Sequence, residues 1–108
     1  MQKTPYRVLI VSRQEDVLDK VTRTLESDAY IVTGTLSDTV ALDLAGSSDF
    51  DALLISSGVS LSDRGYLANE VRKRQPSIPV VLVEGPSSVL IQLRQAFKEK
   101  ESSESEQN

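Results

Sequence analysis

The sequence predicts an α/β domain, a parallel sheet in strand order 2-1-3-4 with helices on both faces. Three observations predict it. Apolar runs that do not alternate, Val8 to Val11, Ala52 to Ile55 and Val80 to Val83, read as strands covered on both sides. Segments with helical spacing of apolar residues lie between them. Strand and helix then alternate four times, and right-handed crossovers fold such a chain into three layers with one parallel sheet.

The elements follow in order. Arg7 to Ser12 is the first strand. Gln14 to Ser27 is a helix whose Val17, Leu18, Val21 and Leu25 share one face, with Glu15 and Asp16 in the first turn where the helix dipole favours acids. Tyr30 to Thr35 is a strand of β-branched and aromatic residues. Ser37 is the N-cap of a short helix over 38–45 with Val40, Ala41 and Leu44 inward, and Gly46 ends it as a C′ glycine. The third strand centres on Ala52 to Ile55 and leads into Ser56, Ser57 and Gly58. A loop over 59–63 precedes a helix from Gly65 to Gln75 that buries Leu67, Ala68 and Val71, stopped by Pro76. Ile78 to Val83 is the fourth strand, with Pro79 near its start. The last helix, Ser87 to Lys100, carries a core stripe of Val89, Leu90, Leu93, Ala96 and Phe97. Residues 1–100 form the domain. Residues 101–108 are Ser, Glu, Gln and Asn alone and are expected to be a disordered polar tail or linker.

Composition excludes several classes of function. The chain of 108 residues suits one domain, and 39% hydrophobic with 26% charged residues is ordinary for a globular protein. A net charge of −4 gives no general attraction to nucleic acid or anionic lipid. No apolar run reaches the roughly 20 residues that span a bilayer, and no apolar signal region follows Met1, so a cytoplasmic location is expected. There is no cysteine and no histidine. Thiolate and imidazole catalysis, disulfides, phosphohistidine and Cys- or His-ligated metals are therefore absent. No cofactor, metal or catalytic residue is expected.

In open α/β sheets, ligands lie beyond the carboxyl ends of the strands. Ser56, Ser57 and Gly58 stand there and form a candidate anion-binding loop through their backbone N–H groups. The simpler reading is a tight loop of small residues. Arg72, Lys73 and Arg74 form a basic cluster that suits a helix C-terminus better than nucleic acid.

The layout resembles the receiver domain of bacterial response regulators, a flavodoxin-like fold. Val8-Leu9-Ile10-Val11 before a polar pair, Asp51-Ala52-Leu53-Leu54-Ile55 before the reactive position, Gly65-Tyr66 and Ile78-Pro79-Val80-Val81 carry the likeness over Arg7 to about Val83. The resemblance implies a phosphoacceptor aspartate where Ser56 stands, a Mg²⁺-holding acid pair where Ser12 and Arg13 stand, and a small hydroxyl residue where Glu84 stands. It also implies a lysine after a fifth strand that is not evident here. These departures describe a degenerate pseudo-receiver. The function expected is a phosphorylation-independent interaction or regulatory module of two-component signalling. Its partner is another protein, an output domain or a second copy of the chain. Arg13 and Glu84 are expected to form an ion pair across the vacated pocket. The interface is expected on the last helix at Leu90, Ile91, Arg94 and Lys98, beside the edge of the fourth strand. The alternative is a small-ligand or anion sensor built on Ser12, Ser56 and Ser57.

Overall fold

The computed structural model describes residues 5–106. Eight elements alternate: β1 (Arg7–Val11), α1 (Glu15–Ser27), β2 (Ile31–Thr35), α2 (Asp38–Ser47), β3 (Ala52–Ser56), α3 (Leu61–Arg74), β4 (Val80–Val83) and α4 (Val89–Glu106). The strands form one parallel sheet in the order β2-β1-β3-β4, as the sequence predicts. Val8 lies beside Val32 and Ala52, and Ser56 beside Val83.

β3 is buried at all five positions. Leu53 and Ile55 point into one apolar cluster, with Leu9, Val11, Ala41, Ala45, Leu67 and Val71. Ala52 and Leu54 point into the other, with Val8, Ile10, Val21, Leu25, Val89, Leu93 and Phe97. A strand with two dry faces has no polar side, which is why its sequence does not alternate. The clusters also assign the layers: α2 and α3 cover one face, α1 and α4 the other.

The side taken by α4 matters for the sheet's edge. A right-handed crossover from β4 to a fifth strand beside it would carry its helix on the α3 face. Instead, α4 packs across the α1 face, and β4 stays the outer strand.

The end of α1 is a Schellman turn. The Ala29 N–H donates to the Glu26 carbonyl at 3.1 Å and the Tyr30 N–H to the Leu25 carbonyl at 3.1 Å. Ala29 takes φ 68°, the left-handed conformation that glycine adopts without a Cβ penalty. Tyr30 then stacks with Tyr6 and Phe97, and the Tyr6 and Phe97 rings lie 4.1 Å apart.

Four local expectations are corrected. α2 buries Ala41, Leu42 and Ala45 and leaves Val40 exposed. It also runs through Gly46 to Ser47 with no left-handed glycine, because Ser48 leaves the helix in an extended conformation. α3 begins at Leu61, not Gly65, because Ser60 caps it by accepting from the Asp63 N–H at 3.2 Å. α4 continues past Lys100 to Glu106, since adding a residue to a formed helix costs far less than starting one. Residues 107–108 of the expected tail lie outside the described residues.

Candidate functional site

The carboxyl ends of β1 and β3 meet at two buried serines. Ser12 follows β1, and its hydroxyl accepts from the Gln14 N–H at 3.2 Å and donates to the Gln14 carbonyl at 3.1 Å. It thus acts as a local brace at the start of α1. Ser56 ends β3 and is 7% exposed. Its hydroxyl accepts from the Gly58 N–H at 3.4 Å.

The loop after β3 is satisfied internally. The Ser57 N–H donates to the Val83 carbonyl at 3.0 Å, and the Val59 N–H to the Ser56 carbonyl at 3.0 Å. With the Gly58 bond, all three N–H groups at 57–59 are engaged. Arg64 closes the loop from the other side, donating to the Ser57 and Val59 carbonyls at 2.8 Å each. An anion at Ser56, Ser57 and Gly58 would have to break these bonds to find donors.

Arg13 is the most connected side chain of this end. It donates through Nη2 to Asp38 at 2.7 Å and Asp63 at 3.2 Å, and through Nη1 to the Leu36 carbonyl at 3.1 Å. Asp38 and Asp63 lie in the first turns of α2 and α3, where helix dipoles also favour their charge. One guanidinium therefore ties three strand-end loops together. The Asp38 hydrogen bond holds the Arg13 pKa above its ordinary value, partial burial opposes this, and Asp63 adds to the rise.

The expected Arg13–Glu84 pair is not formed. Glu84 follows β4, which is two strands away from β1, about 9.5 Å at ordinary strand spacing. It is exposed and has no ion-pair partner among the described residues. Sequence reasoning missed Asp38, Asp63 and Arg64. Asp38 stands directly behind the Ser37 cap, a legible signal for helix placement that says nothing about its cationic partner.

No group of three or more potential metal-ligating side chains occurs among the described residues, and none of their helices is long and apolar enough to cross a membrane. A pocket of about 380 Å³, lined by Pro5, Tyr6, Asp28, Ala29 and Tyr30, opens at the opposite end of the sheet from Ser12 and Ser56. In the basic cluster, Lys73 and Arg74 both pair with Glu70, at 2.7 and 3.5 Å.

The expected interface residues share one side of α4, an arc of about 100°, and that side adjoins α1 rather than the β4 edge. Leu90 packs against the core, and Ile91 is 71% exposed. Arg94 pairs with Asp28 at the end of α1, at 2.9 Å. Gln92 reaches the other way and donates to the Leu82 carbonyl on the β4 edge at 2.7 Å. Two residues along a helix are about 200° apart. Arg94 and Lys98, one turn on, thus lie on the α1 flank, away from the edge they were expected to border.

No family model matches the chain, and no curated protein matches it. Solved structures do. A CheY-like response regulator receiver domain protein from Methanospirillum hungatei JF-1 superposes with a TM-score of 0.76 at 16% identity, over 91% of this chain and 98% of that one. The signal receiver domain of an HD domain-containing protein from Pseudomonas fluorescens Pf-5 gives 0.74 at 19% identity, over 90% and 98%. The fold is that of a CheY-like receiver domain.

Proposed function

We propose that this chain is a receiver-like signalling module that works without phosphorylation, through contact with a protein partner in the cytoplasm. One observation carries the reading. Arg13, at the position that the resemblance assigns to a metal-holding acid, is committed to Asp38, Asp63 and the Leu36 carbonyl. A fixed cation thus occupies the strand ends. Ser56, at the phosphoacceptor position, is a buried hydroxyl bonded to its own loop. A serine oxygen lacks the carboxylate charge that would join metal and phosphoryl group. The reading assigns no catalytic residue. No observation favours a small-ligand or anion sensor at Ser12, Ser56 and Ser57, whose loop donors are occupied.

Partner contact is assigned to the surface around Ile91, the most exposed apolar residue of α4. The test has two arms. Amide spectra with Mg²⁺ and acetyl phosphate or beryllofluoride should show no saturable shift around Ser56, and a site-specific, Mg²⁺-dependent shift there refutes the reading. Capture from native cytoplasm should recover a partner that Ile91→Lys loses while the domain stays folded. Partners retained in full by Ile91→Lys refute the assigned surface.

A further inference from the structure

The sheet has two outer strands, and the chain treats them differently. At β4 the outward Leu82 carbonyl is covered by the Gln92 amide at 2.7 Å. No side chain among the described residues covers β2 in this way. Its sequence, Ile31-Val32-Thr33-Gly34-Thr35, holds no charge and no proline, and none of its residues is buried. Uncovered, uncharged, β-branched edges pair with other strands unless something prevents it.

The free groups on that edge form a symmetrical set. In a parallel ladder, alternate residues turn their backbone toward the same neighbour. The Ile31 N–H donates to the Tyr6 carbonyl at 2.9 Å, and the Thr35 carbonyl accepts from the Ser12 N–H at 3.1 Å, so 31, 33 and 35 face β1. Val32 and Gly34 therefore direct their N–H and C=O outward, and no partner meets them among the described residues. At the two ends of the edge the Tyr30 N–H is engaged with the Leu25 carbonyl and the Leu36 carbonyl with Arg13. Between them Val32 and Gly34 offer two donors and two acceptors, centred on Thr33.

An apolar flank adjoins this edge. Gly46 on α2 faces α3, since a Cβ there would meet Arg74 at 3.6 Å. The opposite flank of α2 carries Val40 and Leu44 and faces β2. Val40 is 46% exposed and Ile31 is 48% exposed, on the sheet face that α2 covers.

We propose that this edge pairs with the same edge of a second copy, antiparallel about a two-fold axis at Thr33, joining two four-stranded sheets into one. A second copy fits because the edge is self-complementary. Val32 meets Gly34 of the other copy in a hydrogen-bonded pair, twice, and all four free groups are satisfied. Thr33 faces Thr33 across the axis, a favourable cross-strand pair. On the other sheet face Val32 lies opposite Gly34, which brings no side chain of its own and is covered by Leu18 of α1. Charge opposes the pairing at one place. Glu15 and Glu26 share the flank of α1 with Leu18, which lies over Gly34. Two copies bring these acids together, so association strengthens with salt.

Sedimentation equilibrium of the full chain up to about 1 mM, where the weakest specific contacts become visible, tests this. The expected result is a monomer–dimer equilibrium, tighter in about 0.5 M than in about 0.05 M salt. Thr33→Lys sets two ammonium groups at the axis, and Val32→Pro removes an outward N–H at a place where an edge strand tolerates proline. Each should weaken the dimer at least about tenfold with the circular dichroism spectrum unchanged. If Val32→Pro fails to fold, Thr33→Lys decides. Ile91→Lys should leave the dimer intact. A monomer at every concentration overturns the proposal, including one that binds only another protein's extended segment. So does a dimer indifferent to Thr33→Lys, or one lost on Ile91→Lys.

Discussion

Replacing Arg13 by alanine releases three loops at once, and the cost follows from the geometry. Side-chain exposure is 29% for Arg13, 24% for Asp38 and 46% for Asp63. These are partly solvated pairs, worth up to about 1 kcal/mol each. The Asp38 pair, at 2.7 Å and the less exposed, belongs at the top of that range. The Asp63 pair, at 3.2 Å, is nearer about 0.5 kcal/mol after screening. The bond to the Leu36 carbonyl is exposed and adds about 0.5 kcal/mol. Arg13→Ala should thus destabilise the domain by about 2 kcal/mol, a fall in Tm of about 10 °C for a chain of this size. Urea unfolding of Arg13→Ala, Asp38→Ala and the double variant should give a coupling of about 1 kcal/mol. Arg13→Lys keeps the charge but loses the fork and should fall between wild type and alanine. At 1 M salt the penalty should shrink by about half. The raised Arg13 pKa means its stabilisation is fully present below the ordinary guanidinium value and is lost only in strong alkali, so its contribution is constant across neutral pH. A coupling below about 0.3 kcal/mol, or a larger coupling of Arg13 to Glu84 than to Asp38, refutes the clamp.

Two further perturbations test other parts of the fold. Ala29→Gly should stabilise the protein by about 1 kcal/mol in urea unfolding, because a left-handed residue at φ 68° costs an alanine that much; no change or a loss would mean that the α1 turn relaxes away from this geometry. The Tyr30 pKa is raised above its ordinary value of 10.0, chiefly by burial and then by the charge of Asp28, with Arg94 opposing. Its stabilisation is complete below pH 10.0 and is lost as pH rises through the higher folded value. Ultraviolet titration should show Tyr30 ionising above its ordinary value, as a late contribution that disappears in Tyr30→Phe.

The layers were legible in the sequence because burial leaves a local record. β3 has two dry faces, and its unbroken run from Ala52 to Ile55 says so without reference to any partner. The faces of α1, α3 and α4 follow from their spacing: Val21 and Leu25, Leu67 and Val71, and Val89, Leu93 and Phe97 are all buried as read. That Ser12, Arg13 and Ser56 stand where the resemblance implies acids is likewise visible in residue identities alone. α2 marks where this kind of reading stops. Val40, Ala41, Leu42, Leu44 and Ala45 are apolar nearly all round the helix, so periodicity does not choose a face. Only the placement of α3 along one flank turns Val40 outward.

The candidate site divides in the same way. The sequence by itself determined the strand order, the serines at the strand ends and a lone arginine among them. Tertiary structure decided that Arg13 meets Asp38 and Asp63 rather than Glu84, that the N–H groups after β3 are engaged, and that α4 returns across α1 and leaves β4 at the margin. Side-chain burial is a property of each segment and repeats with its own period. The partner of a charge 25 or 50 residues away is set by which strands are neighbours and by the spacing between them, and that distance exists only once the sheet has formed.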